Sequence, residues 1–170
     1  MPGVGKSTVG ILLAKQLARP FVDVDVYIQA GSDRTLQEII AATGLEAFCD
    51  LEAQYVCCLD LANHVVATGG SVVYREQAMG FLAAKGTIVY LALPLEALLQ
   101  RLSDLRTRGV VLAPGMMLAD LHAQRTPLYE RWADVTIDCT GLDHQGVVDA
   151  IIQKTEPRTG NREPGEKKRK

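Results

Sequence analysis

Gly3-Val4-Gly5-Lys6-Ser7-Thr8, followed directly by the apolar run Val9-Gly-Ile-Leu-Leu-Ala14, decides how the rest of this chain is read. It is the second half of a G-x-x-x-x-G-K-[ST] phosphate loop. Glycines let backbone N–H groups close around phosphate oxygens, and the helix that follows adds its positive amino end. In such a loop Lys6 reaches the β- and γ-phosphates and Ser7 offers a hydroxyl to Mg2+. The pattern's first glycine would stand one position before Met1, and the buried strand that normally delivers the loop has no room here. The sequence is therefore expected to be an N-terminal truncation of a Gly-Met-Pro-Gly loop, leaving an open slot in the middle of its sheet with unpaired strands on either side.

Outward from the loop, apolar runs alternate with helical periodicities, the pattern of an α/β protein with a parallel sheet. Val9 to Leu17 reads as a helix with Ile11, Leu12, Leu13 and Leu17 toward its buried side, ended by Pro20. Residues 21–24 form a strand running into Asp25, and 36–43 and 45–62 form helices parted by Gly44. The strand 65–67 stops at Gly69-Gly70. A helix over 75–84, a strand over 87–91 and a helix opened by Pro94 and running to 102 come next. Gly109 to Gly115 breaks the periodicity as a loop. A helix over 117–131, a strand over 134–138 and a helix over 143–154 complete the domain, assigned to residues 1–155.

Composition excludes several classes. The 170 residues are 48% hydrophobic and 22% charged, enough to build one core. The apolar run from Thr87 to Leu95 contains Pro94 and is far short of the ~20 residues of a membrane span. Residues 156–170 hold six basic and three acidic residues and read as a disordered tail. The remainder is net acidic, which gives no pull toward nucleic acid. Cys49, Cys57, Cys58 and Cys139 form no CxxC pair and read as reduced, mostly buried thiols. No secretory signal is read at the start, and a cytoplasmic monomer is expected.

Beside a phosphate loop, two carboxylates at Asp23 and Asp25 can divide the work, one holding metal-bound water and the other orienting or deprotonating a hydroxyl. Phe48-Cys49-Asp-Leu-Glu52 and Thr68-Gly69-Gly70-Ser71 add an aromatic, a carboxylate and exposed backbone amides. Arg101, Arg108 and Arg125 bracket the irregular stretch, which reads as a lid over about 103–116 able to bring a cation to the phosphates.

Together, G-x-G-K-S-T, the Asp23/Asp25 pair, Phe48-x-x-x-Glu52, Gly69-Gly70, Arg101 with Arg108, and Arg125-x-Pro-Leu-Tyr129 resemble the shikimate kinase family over about residues 1–152. The resemblance implies a three-layer P-loop kinase fold with a parallel sheet of order 2-3-1-4-5, helices on both faces and a lid, here without the central first strand. It implies ATP as donor and shikimate as acceptor. Gly3, Val4, Gly5, Lys6, Ser7 and Thr8 would bind ATP, with Arg101 along the adenine. Ser7 and Asp23 would serve Mg2+, and Lys6, Asp25 and Arg108 would act in catalysis. Asp25, Phe48, Cys49, Glu52, Gly69, Gly70, Ser71 and Arg125 would form the acceptor site, Arg125 on its carboxylate.

Three positions depart from the family pattern. Cys49 stands where the family has an arginine that helps clamp the acceptor carboxylate, Ser71 replaces a third glycine, and the lid reads Arg108-Gly-Val-Val-Leu112. A hydroxy amino acid such as homoserine is therefore an alternative acceptor, its ammonium tolerated by a neutral Cys49 beside Asp50. A nucleotide-binding module without catalysis is the second alternative.

Overall fold

The computed structural model describes residues 1–60, 62–103 and 116–155 and, of residues 102 and 103, the backbone alone. The expected lid over 103–116 lies, apart from its ends, outside the described residues, as do Arg108 and the tail 156–170. Element order is α1 (Lys6–Leu17), β1 (Phe21–Asp23), α2 (Val24–Ser32), α3 (Leu36–Thr43), α4 (Leu45–Cys57) and β2 (Val65–Ala67), then a 3-10 turn (Val72–Tyr74). It continues with α5 (Glu76–Lys85), β3 (Val89–Ala92), α6 (Leu95–Ser103), α7 (Leu118–Trp132), β4 (Val135–Asp138) and α8 (His144–Thr155).

The strands form two parallel pairs. β1 runs beside β2 with Phe21 opposite Val65 and Asp23 opposite Ala67, and β3 runs beside β4 with Val89 opposite Val135 and Ala92 opposite Asp138. These are the 2-3 and 4-5 halves of the expected order. Among the described residues no strand joins them. Each pair has its own apolar cluster. Val24, Ile28, Phe48, Val56 and Met79 pack beside β1 and β2, while Val9, Leu98, Ile137, Val148 and Ile151 pack beside β3 and β4. Helix α1 touches β1, β2 and α8, and so ties the two halves together. No helix among the described residues is long and apolar enough to cross a membrane.

Two expectations are corrected. The strand predicted over 21–24 stops at Asp23, because the Asp23 carboxylate caps a helix that the periodicity does not announce. Its Oδ1 accepts from the Asp25 amide at 3.0 Å and the Val26 amide at 3.3 Å. Asp25 thus lies in the first turn of α2, not on a strand. The buried side of α1 is also different. Val9, Gly10 and Ala14 are buried, whereas Ile11 is 54% and Leu17 37% exposed.

Close approach of α1 to β1 explains that choice of face. A Cβ on Gly10 would come within 2.5 Å of the Phe21 ring, a separation real side chains do not show. Only a residue without a side chain lets the helix lie this near the strand. Two of the four cysteines, Cys49 and Cys139, are buried; Cys57 is half-buried and Cys58 exposed, so the expected burial holds for half of them, and all four are free thiols.

Replacing Gly10 by valine should overpack this contact and lower stability by about 1–3 kcal/mol in urea unfolding. An unchanged midpoint would show that α1 does not bear on Phe21 in this way.

Candidate active site

The loop between Met1 and α1 is shaped by glycines in left-handed conformations, Gly3 at φ 76° and Gly5 at φ 99°. Gly5 is also the amino-terminal cap of α1, and no side chain caps that end. The first-turn amides of Ser7 and Thr8 therefore open onto solvent, and both residues are exposed. Lys6 turns inward from the same turn. Its Nζ donates to the Met1 carbonyl at 3.0 Å, and burial lowers its pKa, opposed by the nearby Asp25, Asp23 and Glu52 carboxylates. Arg101 reaches back from α6 to the loop, Nη1 donating to the Val4 carbonyl at 3.4 Å.

The acceptor-side residues converge on the turn after β2. A Cβ on Gly69 would collide with Glu52 Oε1 and lie 2.7 Å from Asp25 Oδ1. One on Gly70 would lie 2.7 Å from Arg125 Nη1 and 3.2 Å from the Tyr129 hydroxyl. Asp25, Glu52 and Arg125, from α2, α4 and α7, thus meet at two residues that have no side chains. Burial pushes the Asp25 carboxyl up, an effect opposed by the Lys6 ammonium and reinforced by Asp23.

Arg125 is buried, yet its charge is not neutralised by an ion pair among the described residues. Its Nε donates to the Tyr74 hydroxyl at 3.1 Å, and the guanidinium lies 5.1 Å from the Tyr74 ring centroid. Tyr129 donates to the Gly70 carbonyl at 2.8 Å and stacks on Tyr90. Tyr74 is a contributor that sequence reasoning missed, and Tyr129 appeared there only inside a motif. A lone tyrosine beside a 3-10 turn carries no signal of its own.

Glu52 is fully buried and half satisfied. Ser71 Oγ donates to Oε2 at 2.6 Å, while Oε1 has no partner. Burial, set against the Ser71 bond and reinforced by Asp25, raises its carboxyl to about 7. Cys49 lies one helical turn earlier on α4 and is likewise buried, its thiol pushed up by burial and then by Glu52. Phe48 packs in the apolar cluster under the site with Val24 and Ile28.

Asp50 does not join the pocket. Its side chain is 62% exposed and paired with Arg75 at 2.7 Å, and the same arginine holds Glu46 at 2.8 Å. Asp50, the sequence neighbour of Cys49, is thus engaged by Arg75 and not by the acceptor-side turn.

The profile of the shikimate kinase family matches residues 2–156. The shikimate kinase of Chromohalobacter salexigens is 37% identical over 156 residues, covering 90% of this chain and 87% of that protein. That of Symbiobacterium thermophilum is also 37% identical and covers 92% of each. Among solved structures, shikimate kinase from Acinetobacter baumannii in complex with shikimate superposes with a TM-score of 0.81 at 33% identity, covering 89% of this chain and 87% of that one. Shikimate kinase from Aquifex aeolicus gives a TM-score of 0.75 at 29% identity and covers 92% of each chain.

The raised Glu52 carboxyl makes stability pH-dependent. The folded state keeps a proton that the unfolded chain releases near pH 4.5. Its contribution is therefore intact below 4.5 and lost as pH rises through about 7. A shift of this size corresponds to about 3 kcal/mol. Glu52→Gln should be the more stable protein by that order at pH 8 and should converge with the parent near pH 4.5 in urea unfolding; a gap independent of pH would contradict a protonated Glu52.

Proposed function

Because the chain belongs to the shikimate kinase family, we propose that it transfers the γ-phosphoryl group of ATP to a hydroxyl of shikimate, giving 3-phosphoshikimate. The observation that carries this reading is the convergence of Asp25, Glu52 and Arg125 on Gly69-Gly70, within electrostatic reach of Lys6. A phosphate-loop lysine, a carboxylate and a buried arginine on one bare turn suit transfer to a small acid bearing a hydroxyl.

Each group has a role that its surroundings favour. The uncapped first turn of α1 and the loop amides suit the phosphates of ATP, and Lys6 would offset the charge that spreads over the transferring oxygens. Asp25 would orient the attacking hydroxyl and take its proton. Its raised affinity for a proton and the neighbouring ammonium fit that exchange. Arg125 is a buried cation without a counter-ion among the described residues, and a carboxylate is the group that would supply one. Arg101, already on the loop at Val4, is suited to line the nucleotide, and Arg108 would contribute a cation from the lid.

The described residues contain no set of three acidic, histidine or cysteine side chains that could hold a metal by themselves. A hydrated Mg2+ clipped to phosphates needs only one or two protein oxygens. The exposed Ser7 hydroxyl and Asp23 fit that need, and Asp23 has one oxygen to give because the other caps α2. The ion would neutralise phosphate charge there.

Three outcomes test the reading in steady-state kinetics with ATP and shikimate. Lys6→Met should lower kcat by at least about 100-fold. Asp25→Asn should lower kcat by about 10²–10⁴-fold with a smaller change in KM. Cys49→Arg should place a cation against the unpartnered Glu52 oxygen and the acceptor carboxylate. A charge-assisted bond of about 1.5–3 kcal/mol corresponds to a KM for shikimate roughly 10- to 100-fold lower. Turnover of homoserine but not shikimate would reject the assignment.

A further inference from the structure

Helix α4 ends at Cys57 and is capped by Cys58, and both cysteines line one cavity of about 600 Å³. Asp50, Gln54 and Cys57, at spacings of four and three, share the helix face that forms one wall. Tyr74 of the 3-10 turn and Arg75 line the cavity as well. Its volume falls within the range of small-molecule pockets, about 300–1,000 Å³. Cys57 is half-buried, Cys58 is exposed, and both are free thiols. Cys49 and Cys139 differ: they are buried, and burial raises both of their thiols, which keeps them unreactive.

We propose that Cys57 and Cys58 form a dithiol site for a neutral electrophile that takes two sulfurs, a trivalent organoarsenical being the chemical class, and that its occupancy bears on Arg125 through Tyr74. The helix end holds the pair in place. The Cys58 amide donates to the Gln54 carbonyl at 3.1 Å and the Tyr55 carbonyl at 3.3 Å, and the Leu59 amide donates to the Val56 carbonyl at 3.2 Å. Two thiols fixed on one wall lose little freedom when a single atom bridges them. Charge selects the class of ligand. Arg75 is already held by Glu46 at 2.8 Å and by Asp50 at 2.7 Å, so an anion gains no unpaired partner from it. A structural zinc needs four ligands, and among the described residues no three acidic, histidine or cysteine side chains are placed to share a metal. Trivalent arsenic with one carbon substituent needs two sulfurs alone.

The reaction balances without an oxidant. With phenylarsine oxide two As–S bonds form, arsenic gives up its oxygen, and that oxygen leaves as water carrying both thiol protons; arsenic stays trivalent. Tyr74 connects the cavity to the acceptor-side turn. Its hydroxyl accepts from Arg125 Nε at 3.1 Å, and its ring centroid lies 5.1 Å from the guanidinium. A phenyl group seated beside the thiols therefore meets the one side chain that lines this cavity and also holds Arg125.

The test adds one equivalent of phenylarsine oxide to the full chain in excess glutathione. Intact mass and the Arg125 Nε–H resonance, identified by its loss in Arg125→Lys, are read without nucleotide or shikimate, so the result does not depend on the proposed kinase activity. The parent should retain one phenylarsenic group against glutathione and release it to 2,3-dimercaptopropanol, and the Arg125 resonance should shift on loading. Cys57→Ser and Cys58→Ser should each lose the retained group, because one As–S bond exchanges freely with a monothiol. Retention by both serine variants, release from the parent by glutathione, or attachment mapped to Cys49 or Cys139 would each overturn the dithiol site. An Arg125 resonance that stays in place at full loading would overturn the link through Tyr74.

Discussion

Everything on the acceptor side depends on two residues having no side chains. The space that a Cβ on Gly69 or Gly70 would take is held by oxygens of Glu52 and Asp25 and by the guanidinium of Arg125. Three helices can therefore bring charged groups to one strip of backbone, with the Gly70 carbonyl fixed by Tyr129. Charges at this depth are tolerable only when each is answered by another group. Lys6 answers Asp25, and Ser71 answers half of Glu52. Arg125 has the Tyr74 hydroxyl and ring, which solvate a cation without neutralising it.

That imbalance separates the donor side from the acceptor side. Around the phosphate loop the groups are backbone amides and one lysine, and their geometry is set by two positive-φ glycines and the start of a helix. Around the acceptor the balance is carried by side chains. Cys49 and Ser71 bear on the same carboxylate, the thiol as an uncharged neighbour and the hydroxyl as a donor to Glu52 Oε2. Burial raises the Glu52 carboxyl to about 7, and the bond from Ser71 opposes that rise without cancelling it. Cys49 and Ser71 are thus coupled through Glu52.

Much of this was legible in the sequence because it rests on local chemistry. G-x-G-K-S-T specifies the loop, Gly44 parts α3 from α4, and Val65–Ala67 followed by two glycines marks a strand and its turn. The reading failed where a side chain acts on a neighbour that periodicity does not reveal. Asp23 looks like a strand-end carboxylate, but its hydrogen bonds to two amides start α2 and carry Asp25 around the first helical turn. The face of α1 escapes a count of apolar residues, which leucine and isoleucine dominate, because close approach to Phe21 requires glycine at position 10. Tyr74 enters the site through a 3-10 turn whose position depends on tertiary packing, and no spacing rule anticipates it.

Helix α1 makes the phosphate loop sensitive to both halves of the molecule. Its small-residue face lies on Phe21 and its other contacts reach α8, so the helix that presents the loop is positioned by two apolar clusters that share no strand. In a continuous sheet the backbone ladder would fix the spacing of those clusters. Among the described residues that spacing is spanned by α1, which touches β1, β2 and α8. Lys6 reports on the same region, since its ammonium is tied to the Met1 carbonyl. The direction of the loop lysine therefore depends on how Met1 is packed against Leu91 and Leu93 as well as on the helix that carries it.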